Sequence, residues 1–254
     1  MEKQHHLQLL PGDVAETVFL PGEVGRAKII ADYFETAKLV AMNRQYITYT
    51  GMYKGVKVSV TSTGIGGAAT AIAIEELIKV GAKNLIRIGT GGMIQEWLPN
   101  PAILVITAAV RGDGTTREYF PLEYPAIADL QVIEAMLASA NELGIEVHAG
   151  YEWSHDNFYA GSPLSSMNVL EIERPWIDAG VLIASQEAST VLALSMARKC
   201  RGGTILASAG CHQHPERSAN EEQMKKTISD AIRISLETAV KLYKIDHPAK
   251  EVQQ

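Results

Sequence analysis

The 254-residue sequence is poor in cysteine, contains no long apolar run and lacks an excess of basic residues. Its two cysteines, Cys200 and Cys211, have no metal-ligand spacing and are expected to be buried or inert thiols. The seven histidines lack the acidic and cysteine partners of a zinc site, so we expect no metal. No run approaches the ~18 apolar residues of a membrane-spanning helix, which argues against a membrane protein.

Acidic residues outnumber basic ones, 29 to 23, which gives a formal charge of −6 at pH 7 and argues against a nucleic-acid-binding surface. The start of the chain lacks the apolar core of a signal peptide, and we therefore expect a cytoplasmic location. With 46% hydrophobic residues and no linker, low-complexity stretch or internal repeat, the sequence predicts one domain over residues 1–254.

Apolar strands alternate with helices along the chain, which predicts an α/β fold. The predicted strands are 17–20, 37–41, 44–53, 56–62, 84–88, 103–109, 146–151, 181–184 and 204–208. The predicted helices are 24–34, 68–80, 130–143, 187–200 and 221–243. The last helix has apolar residues at helical spacing, and Asn220 with Gln223 forms a capping-box pattern at its start. Strands 84–88 and 103–109 are largely apolar, so the sheet is expected to be covered on both faces.

The segment Asn84-Leu-Ile-Arg-Ile-Gly-Thr-Gly-Gly92 carries the strongest functional signal. A predicted strand runs into a turn with three glycines, where backbone N–H groups can approach a ligand closely. Arg87 adds a fixed charge and a two-pronged donor that suits phosphate or carboxylate. The alternative is that these glycines only give the turn its shape.

Two further glycine-rich segments support ligand binding. Leu20-Pro-Gly-Glu-Val-Gly-Arg26 puts Arg26 in the first turn of a predicted helix, where a bound anion or solvent must be its partner. Ser62-Thr-Gly-Ile-Gly-Gly67 follows a strand and opens a helix, an arrangement typical of anion sites. Its spacing, and the lack of a ribose-binding acid after a second strand, argue against a dinucleotide-binding fold. We therefore predict one pocket for a small anion, formed by all three segments.

Together with Val110-Arg-Gly-Asp-Gly114, the segment 121–129, His155-Asp-Asn-Phe-Tyr-Ala-Gly161 and Gln186-Glu187, these segments resemble the hexameric nucleoside phosphorylases, in particular the uridine phosphorylase branch. The resemblance runs from about residue 6 to residue 243. It implies a single α/β domain with a central mixed, partly barrel-like β-sheet flanked by helices. It also implies phosphorolysis of a nucleoside to free base and ribose 1-phosphate, with inorganic phosphate as co-substrate and no cofactor.

The resemblance assigns roles to residues of this chain. The phosphate-binding residues would be Gly22, Arg26, Arg44, Arg87 and Thr90. The ribose-binding residues would be His6, Gln186 and Glu187. The base-binding residues would be Gly92, Phe158 and Ser162. Arg87 and Glu187 would be the catalytic residues, while Arg44 and His6 would reach a neighbouring subunit's site in a dimer-based homo-oligomer, a hexamer.

Three of these side chains also have interpretations without a ligand. Phe158 can be a core residue, and Arg44 can be a surface residue of a strand. Glu187 can complement the dipole at a helix N-terminus. Their joint occurrence in the order of the family favours the functional interpretation.

The base-binding half departs from the family pattern. Ser162 and Leu164 stand where uridine phosphorylases have glutamine and arginine, and Ser185 stands where the family has an acid two positions before Glu187. Segment 208–214 contains neither the arginine of the uridine enzymes nor the aspartate of the purine enzymes. The side chains that can substitute for them are His212, His214 and Arg217.

Two classes of function follow from this pattern. The first is an enzyme with altered base specificity, in which the base is read by backbone groups, Trp153, His155 and the loop 212–217. The second is a homologue that binds phosphate and ribose with little catalysis. Hydrolysis without phosphate would instead indicate a nucleosidase.

Overall fold

The computed structural model describes residues 2–160, 162, 164, 168–211 and 214–248. Within these residues, ten β-strands form one mixed sheet and seven α-helices pack around it. The strands are β1 (Thr17–Leu20), β2 (Thr36–Asn43), β3 (Tyr46–Tyr53), β4 (Val56–Thr61), β5 (Asn84–Met93), β6 (Ile103–Arg111), β7 (Ala126–Ile127), β8 (His148–Ser154), β9 (Ile183–Ser185) and β10 (Arg201–Cys211). The helices are α1 (Val24–Ala31), α2 (Gly67–Lys79), α3 (Gly114–Tyr119), α4 (Leu130–Leu143), α5 (Val169–Asp178), α6 (Ala188–Ala197) and α7 (Glu221–Asp246), and a 3-10 turn covers Pro215–Arg217.

Five of the strands close into a ring. The sheet runs in the order β10-β6-β8-β9-β5-β1-β4-β3-β2, and β10 pairs with β5 as well as with β6. Strands β5, β10, β6, β8 and β9 therefore form a small barrel, while β1, β4, β3 and β2 extend from β5 as an open sheet. The prediction of an α/β fold with a mixed, partly barrel-like sheet is confirmed.

Strand β5 belongs to both parts of the sheet. One of its edges pairs with β10 along residues 84–93. Its other edge pairs with β1 over residues 84–87 and with β9 at residues 92–93. On that second edge, no strand in the described part of the chain pairs with residues 88–91, which we call the fork of β5.

Helices cover both faces of the sheet, as the apolar strands predicted. Helices α1, α4 and α7 pack on one face, where α7 buries apolar residues at positions 231, 232, 234, 236, 239, 240 and 242. Helices α2 and α6 contribute to a second apolar cluster with β1 and the N-terminal segment. The predicted capping box is present, since Asn220 Oδ1 accepts from Gln223 N and Gln223 Oε1 accepts from Asn220 N. No helix in the described ranges is both long enough and apolar enough to cross a membrane.

Several sequence-based boundaries were wrong, and two of them concern residues assigned to the site. The chain does not turn after Ile88, because β10 holds β5 extended as far as Met93 and the glycines serve close packing. Arg44 lies in the turn between β2 and β3 with φ of 54°, so it is not a strand residue. Helices α3 and α5 were missed because the first has six residues and the second contains Pro175, which disfavours a helix on sequence grounds.

The closure of the barrel predicts a steric limit at Gly91. A Cβ atom there would lie 2.4 Å from the carbonyl oxygen of Ala184 on β9, and a backbone oxygen cannot rotate away. Gly91→Ala should destabilise the fold by about 1–3 kcal/mol, and for a chain of this size each kcal/mol lowers the Tm by roughly 2–4 °C. The matched control is Gly114→Ala, whose Cβ would meet Asp156 Oδ2 at an ordinary 3.4 Å. Equal melting temperatures for the two variants would contradict the packing described here.

Candidate active site

The three glycine-rich segments meet at the fork of β5. Gly22 follows β1, and a Cβ atom on it would lie 3.2 Å from the carbonyl oxygen of Gly64 and 3.8 Å from Arg87 Nη1. The backbone N–H of Thr63 donates to the carbonyl of Pro21 at 2.9 Å, which ties the second segment to the first. The predicted convergence of the three segments is therefore present.

Arg87 is the central cation of this site. It is 4% exposed, and its guanidinium folds over Gly89, where a Cβ atom would lie 2.8 Å from Arg87 Cζ. Arg87 Nη2 forms an ion pair with Glu187 Oε2. Arg87 Nε has no hydrogen-bond partner among the described residues. A buried donor without a partner costs free energy, and an acceptor bound at the site would remove that cost.

Arg26 lies beside Arg87 and is buried, so its interpretation as an exposed, solvated side chain is wrong. Its Nη1 points to the carbonyl oxygen of Ile88 in the fork at 3.5 Å, and its Nη2 lies 3.3 Å from Glu23 Oε2. Burial lowers the pKa of the Arg26 guanidinium, Glu23 opposes this shift, and Arg87 adds to it. Two neighbouring buried cations with one buried acid favour an anionic ligand.

Glu187 connects this cationic site to the helix α2. It occupies the N-cap position of α6, yet its side chain makes no capping hydrogen bond to that helix. Its Oε1 instead accepts from the backbone N–H of Gly66 at 2.7 Å, at the N-terminus of α2, while its Oε2 pairs with Arg87. The carboxylate is thus held at the site by Gly66 and Arg87 and does not cap its own helix.

The remaining residues assigned to phosphate, ribose and base lie on elements that border the site. Thr90 and Gly92 are half-buried in β5, and Gly92 pairs with Ala184 of β9. Gln186 precedes Glu187 and its Nε2 donates to the carbonyl of Asp156 at 3.1 Å. Phe158 is 70% exposed, so the interpretation of it as a core residue is wrong.

His6 and Arg44 are brought together although they are far apart in sequence. The side chain of Asn43, next to Arg44, donates to the carbonyl of His6 at 2.7 Å. Glu76 holds His6 through its backbone N–H and through Nδ1, at 3.0 and 2.8 Å. Both residues lie near β2, the outer edge of the open sheet. The segments that carry the two residues assigned to a neighbouring subunit's site thus meet at the sheet edge.

The substitutes proposed for the base anchors have other partners. The guanidinium of Arg217 donates to the carbonyl oxygens of Glu96 and Leu98 at 2.7 Å each. His214 lies near the carboxylates of Glu96 and Glu216, at 3.4 and 3.0 Å. His212 falls outside the described residues.

The residues that stand where the family has its uracil anchors differ in exposure. Ser162 is half-buried, whereas Leu164 is 97% exposed. Trp153, predicted to help to read the base, is buried, packs on Trp176 and stacks on His155 at a ring-centroid distance of 4.0 Å. Trp153 is thus part of the core.

The sequence interpretation missed Glu152, which is fully buried on β8. Its carboxylate accepts hydrogen bonds from Ser185 Oγ at 2.5 Å and from Ser154 Oγ at 2.8 Å. Burial raises its pKa to about 7, against the lowering effect of those hydrogen bonds and of Arg87, while Glu187 adds to the rise. The available signal was an acid between two aromatic residues, directly after the predicted strand 146–151.

Comparison with known proteins places the chain in a family. Residues 16–241 match the phosphorylase superfamily, and the chain therefore belongs to it. A uridine phosphorylase of Thermococcus kodakarensis is 39% identical over 92% of this chain and 87% of its own length. A guanosine phosphorylase of Halorubrum lacusprofundi is 36% identical over 95% of this chain and all of its own.

The fold has a close match among solved structures. The structure of purine nucleoside phosphorylase from Toxoplasma gondii in complex with immucillin-H aligns with a TM-score of 0.89 and 30% identity, over 96% of this chain and 98% of that one. The resemblance to the nucleoside phosphorylases is confirmed, including relatives named uridine phosphorylase.

The geometry predicts that Arg87 dominates anion binding. Arg87→Ala removes a charge-assisted fork worth roughly 1.5–3 kcal/mol, so the Kd for inorganic phosphate should rise at least ~10-fold in titration calorimetry. Arg87→Lys keeps the charge opposite Glu187 and should lie between the wild type and Arg87→Ala. Arg174→Ala, on the exposed face of α5, is the matched control. Unchanged phosphate affinity in Arg87→Ala would refute the site.

Proposed function

We propose that this protein is a nucleoside phosphorylase, which uses inorganic phosphate to cleave a nucleoside into free base and ribose 1-phosphate. One observation carries the proposal: the buried Arg87–Glu187 pair lies at the fork of β5, with Arg26 beside it. An anion-binding cation and a hydroxyl-binding carboxylate in contact are what a phosphate and a ribose need when they react with each other.

The phosphate is both nucleophile and counter-charge. It attacks C1′ as the glycosidic bond lengthens, so the ribose gains oxocarbenium character while the base leaves with the bonding electrons. Arg26 and Arg87 hold the phosphate below C1′, where its negative charge stabilises the cationic sugar. Gly22 lets the backbone come close to the phosphate oxygens, and Thr90 on β5 contributes to the same site.

Glu187 positions the sugar. A carboxylate offers about four acceptor sites, and the contacts with Arg87 and Gly66 occupy only part of them. The free acceptor sites of Glu187 accept hydrogen bonds from the ribose hydroxyls. Gln186, the preceding residue, is assigned to the ribose as well. Because Glu187 also pairs with Arg87, the group that holds the ribose and the group that holds the phosphate are fixed relative to each other.

A panel of nucleosides, incubated with and without phosphate, tests this function directly. Phosphate-dependent release of a base, followed by chromatography, is the expected result. Release without phosphate would replace the proposal by a nucleosidase, and binding without release would favour the homologue with little catalysis. A cytoplasmic location and the absence of a further cofactor remain predictions.

The base is proposed to be read differently from uracil in uridine phosphorylases. Leu164 is almost fully exposed, and Arg217 is engaged by two backbone carbonyls, so neither supplies the missing anchor. The relatives carry the names of both uridine and guanosine phosphorylases, which is in keeping with more than one base on this fold. Sites that hydrogen-bond a substrate discriminate by about 10⁴-fold, so the loss of anchors changes specificity.

For the wild type we predict uridine cleavage with kcat/KM below ~10⁵ M⁻¹s⁻¹ and a better substrate among the other nucleosides. The double variant Ser162→Gln with Leu164→Arg should raise uridine turnover, because it restores a donor and acceptor pair at the uracil edge. The single variants serve as matched controls and should gain less. Wild-type uridine cleavage above that value would mean that another group reads uracil.

The active unit is proposed to be a dimer within a larger homo-oligomer, a hexamer, with Arg44 and His6 completing the neighbour's site. Their common place at the outer sheet edge supports this assignment. The exposed apolar residues Leu39 and Met42 on β2 are suitable interface material.

A complementation experiment tests the shared site. Arg44→Ala and Glu187→Ala should each be nearly inactive, but mixed after dissociation and reassembly they should regain activity. In a mixed dimer one site contains both intact residues and the other contains neither, so up to half the activity of a wild-type dimer returns. A light-scattering mass of one chain, or no recovery on mixing, would contradict the shared site.

A further inference from the structure

The segment 185–189, which carries Glu187, is a short connection between β9 and the start of α6. Glu187 itself has φ −137° and ψ −14°, so its backbone belongs neither to the strand nor to the helix. The position of its carboxylate therefore depends on how the two ends of this segment are held. Three buried polar side chains outside the segment, at positions 113, 152 and 154, form the hydrogen bonds that hold Ser185 and Ser189 at its ends.

Glu152 reaches both ends of the segment. At the first end, Ser185 Oγ donates to Glu152 Oε1 at 2.5 Å. At the second end, Ser154 Oγ donates to Glu152 Oε2 at 2.8 Å and accepts from the backbone N–H of Ser189 at 2.9 Å. One carboxylate thus fixes residues on both sides of Glu187, one directly and one through a serine.

A second buried acid supports the same end of the segment. Ser189 Oγ donates to Asp113 Oδ2 at 2.6 Å, and Asp113 is itself held by the backbone N–H and hydroxyl of Thr116 at 2.7 and 2.8 Å. This contact fixes only the start of α6. Glu152 is the acid that joins that end to Ser185.

The arrangement around Glu152 is costly for stability alone. The carboxylate is fully buried, and its hydrogen-bond donors among the described residues are two neutral hydroxyl groups rather than a cation. Burying a charge in such surroundings costs free energy that a well-packed apolar residue would not. What the carboxylate provides instead is two acceptor atoms at a fixed separation.

We propose that Glu152 is a positioning residue for Glu187, which it sets between Gly66 and Arg87 so that its carboxylate meets the ribose hydroxyls. This inference rests on the proposed function. Glu152 makes no contact with substrate in this scheme and acts only through Ser185 and the Ser154–Ser189 bridge.

The protonation state of Glu152 decides whether both ends are held. The ionised carboxylate accepts from both serines, whereas protonation turns one of its oxygens into a donor, so that one of these hydrogen bonds must reverse its direction or be lost. The groups facing Glu152 are Ser154 on its own strand, Ser185 on β9, Arg87 on β5 and Glu187 before α6. Since burial raises its pKa to about 7, the hold on Glu187 weakens as the pH falls through that value.

The test is Glu152→Gln, which keeps the shape but has only one acceptor oxygen. We expect the KM for the nucleoside to rise at least ~10-fold and the KM for phosphate to change less than ~3-fold. The wild-type rise in nucleoside KM on acidification below about pH 7 should be absent from the variant. Ser185→Ala, which removes one arm of the hold, should give a smaller change in the same direction and serves if Glu152→Gln folds poorly.

The matched control is Glu237→Gln, a carboxylate on α7 that accepts from the Tyr53 hydroxyl at 2.7 Å away from the site. It should leave both Michaelis constants and the pH profile unchanged. If the wild type is active, and both Glu152→Gln and Ser185→Ala have the same nucleoside KM and pH profile as the wild type, this inference is overturned while the proposed function stands. A wild type without phosphate-dependent cleavage of any nucleoside would overturn the proposed function and this inference with it.

Discussion

The structure depends on the two edges of β5. Because β10 occupies one edge completely, the open sheet and the barrel must share the other, and β1 and β9 therefore pair with different halves of it. The fork between them leaves a short stretch of extended backbone beside two arginines. The site is thus a consequence of how the sheet divides, since a strand paired along both edges would leave no backbone free to face a ligand.

Charge balance at the fork explains why these side chains can be buried. Arg26 and Arg87 repel each other, and Glu187 compensates one of the two buried charges while Glu23 lies largely in solvent. An isolated buried charge is expensive, whereas a paired and hydrogen-bonded one is tolerated. Arg26, Arg87 and Glu187 together therefore carry a net positive charge, which favours an anionic ligand such as the phosphate proposed above.

Much of this could be predicted from the sequence, because the signals were local. Apolar periodicity gave most of the strands and helices, and glycines next to Arg26 and Arg87 gave the site. The course of β5 beyond Ile88 could not be predicted, because pairing with β10, more than a hundred residues away, overrides the turn preference of glycine. Glu152 was missed for the same reason, because it is bonded to Ser185 on another strand and, through Ser154, to Ser189 on α6.

The packing of Gly89 and Gly91 has a consequence for how such a protein can diversify. A side chain at either position would collide with Arg87 or with the backbone of β9, so the part of the site proposed to hold the phosphate admits almost no variation at these two residues. Phe158 and Ser162, the residues assigned to the base, lie outside the helices and strands, and Phe158 is exposed. Under the proposed function, substitutions near the leaving base are therefore tolerated more readily than substitutions near the phosphate.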